Sequence, residues 1–185
     1  YEKALHIYKQ LKDKAASMER RQLAKTGMLR SAHMLGNEEE IIFTATDLLA
    51  DTKLAPELSN EAHYYRAKAY LDAGKTDGAM EDLKILAKDT RNVYGAEAKY
   101  KVAQIYFDGG QTDKAEQEVL NYIEVSTPHT YWLARSFVLL ADVYMKSGRN
   151  LDAKQYLLSL KQNYQADDDI AGMIESRLEK LKTEN

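Results

Sequence analysis

Five residue types return in the same order three times along this chain, and that return limits the fold more than anything else in the sequence. Ala67, Tyr70, Gly74, Ala79 and Leu83 are followed by Ala103, Tyr106, Gly110, Ala115 and Val119, and then by Ala141, Tyr144, Gly148, Ala153 and Leu157. Counted from Gly36, the periods from glycine to glycine are 38, 36 and 38 residues. A period of this size marks an array of stacked supersecondary units, not one ordinary globular core.

Each residue type has a physical reason to be where it is. Ala103 and Tyr106 lie three apart and so share a helix face. The small residue lets a neighbouring helix approach, while the aromatic fills the remaining space. Gly109 and Gly110 stop the helix, because a left-handed terminal residue costs least as glycine. Thr112 is expected to cap the next helix, which carries Ala115, Val119 and Tyr122 as an apolar stripe facing back onto its partner. The unit is a helical hairpin that can bury its faces only by stacking on its neighbours.

A small residue, an aromatic, glycine, alanine and an apolar residue, spread over one helix pair, resemble the tetratricopeptide repeat (TPR), whose period is about 34 residues. The resemblance runs from Asn60 to Tyr164 and more faintly before. It implies an all-α, right-handed solenoid of about ten helices, ending in a capping helix. The extra residues of each period fall in segments such as Asp89 to Val93 and Ser126 to His129. Two features depart from the family pattern. His63, Lys99 and Phe137 stand where a large aromatic is usual, and no proline follows Leu86, Ile123 or Leu160. Longer repeats with these departures are similar to TPR proteins of the bacterial cell envelope, which implies an envelope or periplasmic location.

Taken in order, residues 1–16 read as the second helix of a repeat whose first helix is absent, so the chain is expected to be part of a longer array. Ala4, Tyr8 and Leu11 carry its stripe. Hairpins are expected over 19–51, 56–88, 94–125 and 128–164, with Thr127 and Pro128 as N-cap and first helical position of the long helix in the last. The capping helix is expected over 168–182, with Ile170, Ile174, Leu178 and Leu181 on one side and charges mostly on the other.

Composition narrows the function classes. The chain lacks cysteine, which excludes disulfides, thiolate catalysis and cysteine zinc sites together. No apolar run reaches the roughly 18 residues of a membrane-spanning helix. Net charge is −3 over 185 residues, but residues 1–35 hold eight Lys or Arg against three Asp or Glu. That basic end either faces an anionic partner or is a solvated helix face. Thirteen tyrosines invite a stacking, nucleic-acid reading. Tyr70, Tyr106 and Tyr144 already serve the packing position, however, and the acidic balance argues against nucleic acid.

Catalytic and metal motifs are not found. His6, His33, His63 and His129 lie in different repeats without metal-ligand spacing, and His63 reads as a packed aromatic. Asp167, Asp168 and Asp169 lack the alternation and glycine of a calcium loop, and serve a helix start through its dipole. The chain is therefore read as no enzyme, without cofactor or metal, and its partner as a protein or peptide. The alternative is a structural or self-assembly module of a larger repeat protein.

The TPR resemblance implies that a partner segment lies in a concave groove lined by first-helix positions beside the packing stripe. Those positions are Thr26, Arg30 and His33 in one repeat, and Tyr64, Lys68 and Leu71 in the next. They continue as Tyr100, Gln104 and Phe107, and then as Arg135, Val138, Asp142 and Met145. Aromatics mixed with cationic and amide groups suit a peptide gripped through apolar anchors and hydrogen bonds. The Lys and Asn of the family's carboxylate clamp are replaced here by Tyr64 with Lys68 and by Tyr100 with Gln104.

Overall fold

The computed structural model describes residues 1–183. Among them are ten helices and no strand. The chain divides into two compact units, Tyr1–Leu86 and Ala87–Asn185.

The first unit contains α1 (Glu2–Lys14), α2 (Met18–Leu35), α3 (Glu38–Leu49), α4 (Pro56–Asp72) and α5 (Thr76–Leu86). Each helix packs on the next, and the first-type helices α2 and α4 also touch. Ser17 starts α2 by accepting from the Arg20 amide, and Asn37 starts α3 by accepting from that of Glu40. Leu29, Ala32, Ile41, Ala45, Leu48, Ala62 and Ala69 form its core. Two buried ion clusters cross-link the helices. The Lys25 ammonium, 4% exposed, donates to the Asp47 carbonyl at 2.9 Å and to Asp51 at 2.8 Å. Asp82 of α5, fully buried, accepts from both His63 and Arg66 of α4.

The second unit contains α6 (Val93–Asp108), α7 (Thr112–Ile123), α8 (Thr130–Lys146), α9 (Asn150–Asn163) and α10 (Ile170–Thr183). Here α6 touches α8, and α8 touches α10, beside the sequential hairpin contacts. The core runs from Ala103, Ala115 and Val119 through Ala141 and Ala153 to Ile170, Ile174, Leu178 and Leu181. The apolar face of α10 thus closes onto α8 and α9.

The repeated alanines Ala67, Ala103 and Ala141 are at most 1% exposed. The repeated glycines Gly36, Gly74, Gly110 and Gly148 have φ between +64° and +73°, the left-handed region in which a side chain is strained. In the same turn the amide one residue on reaches back to the repeat tyrosine's carbonyl, as Gln111 does to Tyr106 and Arg149 to Tyr144, both at 2.8 Å.

Two expected caps are corrected. Thr112 does not cap α7 but lies inside it, and Gln111 holds the N-cap position without a side-chain bond. The glycine turn leads straight into the helix, whose first bond runs from the Ala115 amide to the Gln111 carbonyl. Likewise α8 begins at Thr130, with His129 at the N-cap position. Thr127 instead donates its hydroxyl to the Thr90 carbonyl at 2.8 Å and accepts from the His129 amide, while His129 Nε2 donates to the Arg91 carbonyl. Thr127 and His129 thus stitch their loop to the one that holds Thr90 and Arg91.

Candidate protein-binding face

The expected groove residues fall into repeat positions, and the structure gives each position its own character. Thr26, Tyr64, Tyr100 and Val138 occupy one of them. Thr26, Tyr100 and Val138 are 6%, 6% and 3% exposed, and Tyr64 is half-buried. This position belongs to the packing between helices, not to an open face. Thr26 returns its hydroxyl to the Gln22 carbonyl, and the Tyr100 ring lies 5.6 Å from that of Trp132.

Arg30, Lys68, Gln104 and Asp142 share a second position, and all are more open. Arg30 forks Glu61 with Nε and Nη2, both at 2.7 Å. Lys68 lies 5.5 Å from the centre of the Tyr64 ring. Gln104 accepts from the Tyr100 hydroxyl and donates to Asp108, both at 2.8 Å. Asp142 is forked by Arg177 of α10. Arg30 and Asp142 are thus tied to a neighbouring helix, whereas Lys68 and Gln104 are held by residues of their own helix.

His33, Leu71, Phe107 and Met145 share a third position. His33 stacks on Tyr65 with centroids 4.1 Å apart. Burial first, and then the nearby Lys68 ammonium, push the His33 imidazole below its ordinary pKa. Phe107 lies under the Lys146 ammonium at 4.9 Å. Leu71 and Met145 are half-buried. This row offers apolar and aromatic edges between charged neighbours.

Arg135 stands apart from the three rows, in the repeat position of Glu61 and Glu97. Its guanidinium carbon is 5.1 Å from the Tyr100 ring centre, 5.8 Å from Tyr131 and 6.0 Å from Trp132. It donates to the Tyr131 and Tyr100 hydroxyls at 3.0 and 3.2 Å. Burial works against its charge, yet those hydroxyl bonds hold its pKa above the ordinary arginine value. The result is a fixed, aromatic-walled cation within the second unit.

Sequence reasoning missed the partners that hold this face. Glu61, Tyr65, Tyr131, Trp132, Asp169 and Arg177 were not named for it, although the repeat offset that relates Glu61 to Arg135 was available. It also missed Asp82, which orients His63 Nδ1 at 2.7 Å. The pair cross-links α4 to α5. Asp168 accepts from the Ile170 amide at the start of α10. No described helix is long and apolar enough to cross a membrane.

Residues 61–89, which span most of α4 and all of α5, match the tetratricopeptide repeat family. No curated protein matches the sequence. Among solved structures, the nearly identical TPR-like repeats of a kinesin light chain candidate from Podosopora anserina are similar in fold. Their TM-score is 0.62 at 19% identity, over 87% of this chain and 85% of that one. A single-substitution variant of those repeats gives the same values. The MamA protein is similar with a TM-score of 0.53 at 18% identity, over 88% of this chain and 92% of that one. The chain thus contains one matched tetratricopeptide repeat, over residues 61–89, and shares the fold of TPR-like arrays over most of its length.

Proposed function

We propose that this chain holds a segment of a partner protein in the groove lined by its first helices, and that it does so without catalysis. TPR arrays are in general non-enzymatic scaffolds for protein–protein interaction. The finer reading, that the first-helix face is the one that binds, is supported by one observation above all. Arg30 with Glu61 in the first unit, and Arg177 with Asp142 in the second, pair between helices on that face. Partly open apolar side chains, Leu71, Phe107 and Met145, lie beside them. A surface already ordered loses little side-chain entropy on binding, and apolar anchors ringed by polar groups are what a binding centre requires.

Photo-crosslinking tests this reading. A photoreactive phenylalanine analogue is placed at Phe107 or Leu71, on the first-helix face, and at Ile85, 45% exposed on α5, as the control. Crosslinks to one partner from 107 and 71 but not from 85 support the proposal. The reverse pattern overturns it. Lys68→Ala with Gln104→Ala provides the mutational arm, since both side chains are open enough to remove without carving a cavity. The buried Tyr100 is unsuitable for that purpose. The double variant is expected to lose the crosslink while keeping its helical circular dichroism.

A further inference from the structure

One end of the first unit leaves a groove open between α1 and α2. A Cβ added to Gly27 would come within 2.5 Å of the Tyr8 ring, so the two helices touch there and the ring forms the floor. Tyr1, Ala4, Leu23, Ser31 and Met34 line the rest of a space of about 270 Å³. Ile7 lies three residues on from Ala4 and so shares its side of α1. The rim is apolar and open, with Ile7, Leu23 and Met34 61%, 62% and 55% exposed. Counted from the repeat glycines, the places of Leu23 and Met34 hold Glu61 and Asp72 on α4 and Arg135 and Lys146 on α8. Charge on the later first helices is thus replaced by apolar surface on α2.

The second unit shows what fills the equivalent seat. There α6 touches both α7 and α8, and Ala115, Val119 and Tyr122 of α7, with Leu139 and Val143 of α8, are at most 2% exposed. Their counterparts in register are Ala4, Tyr8 and Leu11 of α1, all only half-buried, with Gly27 and Ser31 of α2. Within the first unit, α2 sits in the same way on α3 and α4. The register also sets the chemistry. Three residues after the alanine of a second helix stands the side chain that meets the first helix of the same repeat. Asp82 meets His63 at 2.7 Å, Glu118 meets Lys99 at 2.8 Å, and the Tyr156 ring meets that of Phe137 at 6.0 Å. Ile7 holds that place after Ala4. One residue before the alanine, the Lys114 ammonium lies 5.4 Å from the centre of the Tyr106 ring. Lys3 holds that place on α1, exposed and with no ring or carboxylate partner among the described residues.

We infer that the α1–α2 groove receives an amphipathic helix of a partner protein, one that brings an apolar side chain to Ile7 and, seven residues on, a tyrosine ring to Lys3. Continuity with the seats of α2 and α6 makes the occupant a helix, since each such seat is closed by a helix laid across two others. A small residue between the two contacts, as Ala141 stands between Phe137 and Tyr144, permits the close approach. Ile7 sets the specificity. Unlike Asp82 and Glu118 it has no charge to offer, so a lysine brought against it would be buried unpaired. A ring under Lys3 gives that ammonium the cation–π contact that Lys114 already has. The groove borders the first-helix face at Thr26 and Arg30 but is read by other residues, so it adds a second contact to a scaffold.

The probe is a synthetic helical peptide of 17 residues, as long as α4 and α8, with phenylalanine, alanine and tyrosine at the spacing of Phe137, Ala141 and Tyr144. It is compared with the same peptide carrying lysine in place of the phenylalanine. Fluorescence anisotropy of the labelled peptides with the full chain is the readout. The phenylalanine peptide is expected to bind about tenfold more tightly than the lysine peptide. Ile7→Glu, at an exposed site, should reverse that preference by recreating the pair that Lys99 makes with Glu118. Leu23→Ser with Met34→Ser should weaken the phenylalanine peptide, with thermal melts checking that each variant folds. Lys68→Ala with Gln104→Ala should leave its binding unchanged, which separates this groove from the first-helix face. No binding of either peptide, equal binding of both, a preference that Ile7→Glu does not reverse, or sedimentation showing that a second copy of the chain fills the groove overturns the inference.

Discussion

Arg66 holds Asp82 with two parallel hydrogen bonds of 2.8 Å, Nε to Oδ2 and Nη2 to Oδ1, while the carboxylate is fully buried. Arg66 also reaches Thr46 on α3, so one guanidinium ties three helices of the first unit. Burial alone would raise the Asp82 pKa, but the bonds from Arg66 and His63 outweigh it and the carboxyl sits below its ordinary value. Asp82→Ala leaves the half-buried Arg66 guanidinium without its carboxylate and should destabilise the protein by about 3 kcal/mol, measured by urea unfolding. A carboxyl with a lowered folded pKa contributes stability that is present above its unfolded value, about 4, and lost as pH falls through the folded one. The wild-type protein should therefore lose stability on acidification below that point, and the variant less so.

His33 provides a pH test nearer neutrality. Its imidazole is pushed down by burial and by Lys68, so the folded state favours the neutral ring. That contribution is present above the unfolded value, about 6.5, and disappears as pH falls through the folded value. Titration of the ring by proton NMR should give a midpoint below the ordinary one. Lys68→Ala should move that midpoint upward, and no movement would remove Lys68 as a cause.

Two glycines should respond in opposite directions to the same substitution. Gly148 has φ +73°, and an added Cβ would meet nothing within 4 Å, so Gly148→Ala costs only backbone strain, about 1 to 2 kcal/mol. Gly172 sits inside α10 with open space around it. Gly172→Ala should instead raise stability by about 0.5 to 1 kcal/mol through lower chain entropy in the unfolded state. Thermal melts of the two variants decide the matter, and equal shifts would contradict it.

Ala103 is 1% exposed in the core of the second unit. Ala103→Leu adds three carbons where the structure has no room and should cost about 1 to 3 kcal/mol. An unchanged melting temperature would mean that this helix contact is looser than its burial indicates.

The class of fold was legible in the sequence because it rests on local rules. A helical apolar period, a small residue at each close approach and a glycine that must turn left-handed repeat at fixed offsets, and each acts within a few residues of itself. The ten helices, the buried alanines and the glycine turns follow from those rules. Caps were less legible. Whether Thr112 or Thr127 caps a helix depends on where the glycine turn delivers the chain and on which loop lies alongside, and Thr127 found the Thr90 carbonyl instead.

The first-helix face proposed for a partner divides along the same line. The repeat offset picked out the rows Arg30, Lys68, Gln104, Asp142 and His33, Leu71, Phe107, Met145 from sequence alone. It could not tell that Thr26, Tyr100 and Val138 turn into the packing, because burial is decided by the helix that lies opposite. Nor could it find Arg66 with Asp82 or Arg177 with Asp142. Those pairs lie 16 and 35 residues apart in sequence. Only tertiary packing, which brings distant side chains within hydrogen-bond reach and removes water from around them, turns such pairs into cross-links between helices.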